Sequence, residues 1–152
     1  MAVSVIPALT SALYEATAAA LPDTNVSLGK NVTDDPGDYL MIGLDDPDEE
    51  WATFASETRA WETVGIDADV REEGDIPCFA FSWNGDSDVA QARDAVFGIA
   101  EALGAVVRDN PNLGLIQVSW ALYASDLDCQ YALDDDGVKM RLPLSIHFVA
   151  LI

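Results

Sequence analysis

The chain has one histidine, two cysteines and seven basic side chains against 27 acidic ones in its 152 residues. Each scarcity closes a class of function. A nucleophile–His–acid triad would have to use His147, and no G-x-S-x-G elbow is present to supply the nucleophile. A lone histidine on the polar face of a strand is more often a surface residue than a base or a ligand. Cys78 and Cys129 lie inside strand-like runs, without the close spacing of a zinc site or a redox pair. They are expected to be two buried reduced thiols; a disulfide between them stays open, but nothing requires it. The seven bases are spread from Lys30 to Arg141 and form no stripe for nucleic acid. The glycines stand singly, so there is neither a Walker loop nor a dinucleotide fingerprint. The expectation is a non-enzyme without a cofactor. Met1 to Val5 carry no basic residue and no long apolar run, and no segment reads as a transmembrane helix. Neither a signal peptide nor a membrane partner is therefore expected, and the chain is expected to be made in a cytoplasm.

What is present is apolar and acidic together. Half of the residues are hydrophobic and the formal net charge is −20. That apolar content fits a folded globule and not an acidic disordered tail. The length fits a single domain, residues 1–152, with one core. A surface this negative repels nucleic acid and anionic membrane at long range. It is also the surface of a wall that DNA must slide past without sticking.

The pattern along the chain predicts an α/β domain of the α+β type: a mixed, largely antiparallel sheet, two helices on one face, and a long C-terminal bulged hairpin. A first helix is expected from Ile6 to Ala20, capped by Ser4, with Pro7 in its first turn and Ile6, Leu9, Leu13, Ala16 and Ala20 on one face. A short strand follows at Val26 to Leu28, then a loop from Asn31 to Gly37. Tyr39 to Leu44 is a continuous apolar run, expected as a strand buried on both faces. Asp45 to Glu57 reads as a long acidic loop. A hairpin is expected next, with strands from Ala60 to Val70 and Ile76 to Trp83, a turn within Arg71–Gly74, and Pro77 near a strand start or an edge. A second helix, Ser87 to Arg108, is capped by Asp86 or Ser87 and shows the stripe Val89, Ala92, Val96, Ile99, Leu103, Val107. In the last strand Val138, Met140, Leu142, Leu144, Ile146, Phe148, Ala150 and Ile152 alternate with Lys139, Arg141, Ser145 and His147. The strand before it changes parity, from Ile116, Val118, Trp120, Leu122 and Ala124 to Leu127, Cys129, Tyr131 and Leu133. One extra residue at Ala124 to Asp126 would repair that, so a β-bulge is predicted there, with Trp120 in the core.

Carboxylates are plentiful, but Asp45-Asp46-Pro47-Asp48-Glu49-Glu50 and Asp134-Asp135-Asp136-Gly137 lack the alternating ligands, central glycine and distal glutamate of an EF-hand. They read as a solvated loop and a hairpin turn, and no metal site is expected. Trp51 and Phe54 in the acidic loop, and Trp61 on the polar face of its strand, fit either a protein interface or local packing.

Three stretches carry a family resemblance. Met1-Ala2-Val3-Ser4-Val5-Ile6-Pro7-Ala8-Leu9, the segment from Val32-Thr33-Asp34-Asp35-Pro36-Gly37 through Tyr39-Leu40-Met41-Ile42-Gly43-Leu44 to Asp48, and Ser82-Trp83-Asn84-Gly85-Asp86 before an Ala-rich helix resemble the tail-terminator proteins of long-tailed siphophages infecting actinobacteria. The resemblance implies a small α/β domain assembling as a homohexameric ring. Such a ring caps the tail tube, stops its polymerisation and meets the head–tail connector of the neck, while DNA passes through the lumen without specific binding. It would reside in the virion tail or neck after assembly in the host cytoplasm. The family offers no catalytic residues to carry over. On this reading Asp45, Asp46, Asp48, Glu49, Glu50, Trp51, Phe54, Trp61, Asp67, Asp69 and Arg71 are candidates for the lumen or a subunit interface. Subunits of −20 repel one another, so their contacts must come from apolar area and local pairs, with Arg59, Arg71, Arg93 or Arg108 against a neighbour's acids. Alternatives are a connector or stopper of the neck, a monomeric acidic DNA mimic, and an enzyme with a halophile's surface.

Overall fold

The computed structural model describes residues 3–31, 35–61, 69–123 and 126–152. Among them the chain forms two helices, α1 (Ile6–Ala20) and α2 (Val89–Asp109), and seven strands: β1 (Asn25–Leu28), β2 (Gly37–Ile42), β3 (Ser56–Trp61), β4 (Val70–Asn84), β5 (Val118–Tyr123), β6 (Gln130–Asp134) and β7 (Gly137–Leu151). The class is the expected α+β one. The sheet is mixed: β1 runs parallel to β2, and every other pairing is antiparallel.

The sheet is built on two long strands. β4 and β7 pair from Arg71↔Leu151 to Asn84↔Val138. Each is flanked by two shorter strands, one towards each end. Along β4, β2 covers Cys78–Trp83 and β3 covers Val70–Asp75. Along β7, β5 covers Ile146–Ala150 and β6 covers Gly137–Arg141. Strict alternation buries Val138, Met140, Leu142, Leu144, Ile146, Phe148 and Ala150 of β7 against the helices. Opposite them Leu9 and Leu13 of α1, and Ala92, Val96, Ile99, Leu103 and Val107 of α2, close one core. A second, smaller cluster of Tyr39, Met41, Leu44 and Phe79 lies apart from it. β2 is thus buried on both faces, as its unbroken apolar run requires.

Several expectations are corrected. The hairpin turn is not at Arg71–Gly74, because those residues are inside β4 and pair with β3 and β7. The charged, glycine-containing stretch looks like a turn, yet it keeps the parity of the strand: Glu72 and Gly74 face the helices in phase with Ile76. Gly74 is there because a Cβ would overlap the carbonyl oxygen of Ser56. Pro77 is neither at an edge nor at the strand start. It sits mid-strand where β2 ends at Cys78 and β3 begins at Asp75, so its missing N–H interrupts no continuous ladder on that side. The cap of α2 is Asp88, which accepts from the Gln91 amide at 3.1 Å. Ser4 precedes the N-cap Val5 of α1 and still accepts from Ile6 N at 3.0 Å. On α1 the buried face passes through Thr10 and Thr17 in place of Ala16 and Ala20, and each threonine hydroxyl donates to a carbonyl one turn back.

The parity break before β7 falls elsewhere. Ala124 and Ser125 of the predicted bulge lie outside the described residues. The register shift seen in β5 is between Val118 and Trp120. It keeps Val118 and Ala121 in the core and turns Trp120 to the opposite face, against the ring of His147, with centroids 5.5 Å apart. Farther along, every residue of β6 is exposed. Leu127, Tyr131 and Leu133 were expected in the core, but the helix cover stops at Val138 and Met140 of β7 and does not reach β6, and all three are open to solvent. Ile116 also lies outside the core.

Candidate functional site

The sequence-predicted surface residues fall into two groups. The first is the acidic loop after β2. Gly43, at φ 81°, turns the chain there, and the Phe54 ring packs where a Cβ at Gly43 would stand. Asp45 organises the loop: its Oδ1 accepts from Thr53 N at 2.7 Å and Asp46 N at 2.9 Å. The Thr53 amide is the main reason its carboxyl titrates below the ordinary value. Asp46 accepts in turn from Asp48 N at 2.9 Å.

This loop is tied to the sheet face opposite the helices by two of the seven basic residues, Arg141 and Lys30, with Lys139 beside them. Asp48 pairs with Arg141 at 3.0 Å. Lys30 Nζ donates to the Pro47 carbonyl at 2.5 Å. Lys139 lies 4.6 Å from the centre of the Trp83 ring. Together with Tyr39, Phe79 and Phe81 these cations line a cleft of about 370 Å³. Its bases are engaged with the chain's own loop, aromatic ring and Gln130 side chain. Beyond the anchor the loop is open: Glu49 and Glu50 are exposed, and Trp51 is 88 % exposed. Local packing therefore does not account for Trp51.

The second group is the arm made by β3 and the first half of β4. All six residues of β3 are exposed, Trp61 to 69 %. Asp69 is exposed and Arg71 pairs with Glu73 at 3.0 Å. Asp67 lies outside the described residues. Loop and arm do not converge on one cavity, and no group of His, Cys, Asp or Glu among the described residues is arranged to hold a metal. No described helix is long and apolar enough to cross a membrane.

Two polar clusters went unnoticed in the sequence. His147 Nδ1 lies 3.0 Å from Asp75 and Nε2 3.1 Å from Glu73. Burial opposes protonation of the ring, but the hydrogen bonds to the two carboxylates outweigh it and raise the pKa. With both nitrogens occupied, the ring ties β7 to β4 and leaves no free base. The other cluster stands at the start of α1. Glu72 is fully buried and accepts from Val5 N at 3.0 Å and from the Ser4 hydroxyl. Glu57 of β3 accepts from the same hydroxyl at 3.3 Å. Burial, with Glu57 beside it, pushes Glu72 up, while the hydrogen bond from Glu72 and Arg59 at 2.8 Å pull Glu57 down. One proton shared by two carboxyls explains both directions. The signal was available: Glu72 sits two positions before Gly74 and four before Ile76, on the buried parity.

The cysteines are free. Cys78 is in the core, where burial raises its thiol to about 12, and Cys129 is half-buried.

No protein-family model and no curated protein matches the chain. Among solved structures, a chain of the virion of a native gene transfer agent particle is similar to it, with a TM-score of 0.51 and 16 % identity over 99 % of this chain and 100 % of that one. At that identity the likeness is one of fold, and it extends through the whole architecture.

Proposed function

We propose that the protein is a non-catalytic structural component of a virion: a ring subunit that caps the tail tube, stops its polymerisation and joins the tail to the neck. The observation that carries the proposal is the end-to-end likeness of fold to a virion chain. The similarity of its opening, its Val32–Asp48 segment and its Ser82–Asp86 run to siphophage tail terminators narrows it to that role. The partners are then further copies of the chain, six to a ring, with the tail tube protein on one side and the head–tail connector on the other. The net charge of −20 suits a lumen through which DNA moves without being held. The exposed acids and Trp51 of the docked loop, and Trp61 of the arm, supply surface for the lumen or for contacts between copies.

Negative-stain imaging and native mass spectrometry of the purified chain, with and without tail tubes, test this. Rings seated at tube ends are the expected result. Rings found only at the head vertex would make it a neck connector or stopper. A monomer that ignores tubes and binds a basic DNA-binding protein would overturn the assembly reading in favour of a DNA mimic.

A further inference from the structure

Two edges of the sheet are open, and they lie on opposite flanks. All residues of β3 and all residues of β6 are exposed. Among the described residues, no backbone hydrogen bond from another segment reaches either strand on its outward side. The other edges differ. β5 receives the turn before it, with Ala121 N donating to the Pro111 carbonyl at 2.7 Å. β1 packs against α1 and has half-buried residues. Neither β3 nor β6 carries a proline or a lysine, the residues that usually protect an open edge from pairing.

We infer that β3 of one copy pairs with β6 of the next, so that the sheet continues from subunit to subunit. This rests on the ring reading above and specifies its interface. Three features commit the occupant to a second copy of this chain. The first is apolar fit. Trp61 shares the helix-side parity of Glu72 and Gly74, through its partner Val70, and Tyr131 and Leu133 share it through Met140 and Val138. Pairing the strands brings these exposed side chains to one face, where each covers the others. The second is charge. β3 is neutral, its Arg59 paired with its own Glu57 at 2.8 Å, whereas β6 has no base and is bounded by Asp128 and Asp134. In a chain of −20 a neutral edge is the one that an acidic edge meets with least repulsion. The third is strand sense. β3 and β6 run antiparallel within one chain, because each is antiparallel to its neighbour across β4 and β7. A rotation that carries one subunit to the next keeps that relation, so the two edges meet as an antiparallel pair.

Contact between two different edges is heterologous and builds a ring or a filament, not an isolated two-fold dimer. β3 and β6 sit about ten residues apart along the β4–β7 ribbon, roughly 33 Å. A closed ring therefore has its strands inclined to the axis, as staggered strands are in a barrel.

The test uses the full chain with Thr58→Cys and Ala132→Cys in a Cys129→Ser background. Both positions are central in their strands and on the face away from the helices. Mild oxidation of assembled rings should link copies into a covalent ladder that ends at the ring's subunit number, while each single-cysteine variant stays unlinked. Amide exchange of the unaltered chain should slow in residues 56–61 and 130–134 on assembly. Rings by imaging with no ladder and no protection of these strands would overturn the inference and leave the ring reading standing. A chain that forms no ring under any condition would remove both.

Discussion

Replacing Glu72 by alanine removes the acceptor that holds the first turn of α1 to the sheet. Val5 N, in a residue only 4 % exposed, then has no acceptor, and the Ser4 hydroxyl keeps only Glu57. An orphaned buried donor costs about 1–3 kcal/mol. The expected loss is therefore about 2 kcal/mol, or about 4–8 °C in Tm for a domain of this size. Glutamine is the informative comparison. Its carbonyl still accepts from Val5 N, and its amide can donate to Glu57 in place of the shared proton, so Glu72→Gln should lie within about 1 kcal/mol of the parent.

The pH dependence separates the two variants further. Glu72 is raised from an ordinary 4.5, so its contribution is present below that value and is lost as pH rises through its folded pKa. Glu57 is lowered from 4.5, so its contribution is present above that value and is lost as pH falls through its folded pKa. The pair is thus most favourable between the two, singly protonated. Urea unfolding across pH 4 to 8 should show the parent losing stability on the high side of this window and Glu72→Gln keeping it. An alanine variant within about 0.5 kcal/mol of the parent, or a glutamine variant with an unchanged pH profile, would refute the shared-proton cap.

His147 makes a second pH prediction of different position. Its pKa is raised above 6.5, so its contribution is complete below that value and is lost as pH rises through the folded pKa. His147→Phe should flatten that fall, and the fluorescence of Trp120, which is tilted at 45° against the ring, should titrate with the same midpoint; a Trp120 signal unchanged from pH 5 to 9 would contradict it. Gly74→Ala should force β3 away from β4, because the new Cβ meets Ser56 backbone, at about 1–3 kcal/mol. Hydrogen exchange in Ser56–Trp61 should rise selectively, and an unchanged protection pattern would mean that the arm adapts.

The elements with unambiguous period were legible in the sequence. α1 spans Ile6–Ala20 as read, α2 shows its apolar stripe, and β7 alternates from Val138 to Ala150 as read. Tyr39 to Ile42 is buried on both faces, as an uninterrupted apolar run demands. What misled was polar content inside regular structure. Arg71–Gly74 has turn composition, but its burial depends on the start of α1 and on β3, neither adjacent to it in the chain. Trp120 followed the right period from the wrong origin, since one extra residue at the start of β5 reverses every later assignment. Tyr131 and Leu133 alternate correctly and stay exposed, because parity reports which face a residue is on and not whether a helix covers that face. In the candidate surface, the loop's acidity and its exposed Trp51 were legible. Its anchoring by Lys30 and Arg141 was not, for those contacts join residues far apart in sequence.

Electron microscopy of tail tubes incubated with the purified chain tests the proposal that this fold serves assembly at the end of a tail tube. A ring at the tube end and a halt to further addition of tube protein are the expected result. Tubes that continue to lengthen with bare ends, beside a chain that remains monomeric, would contradict it.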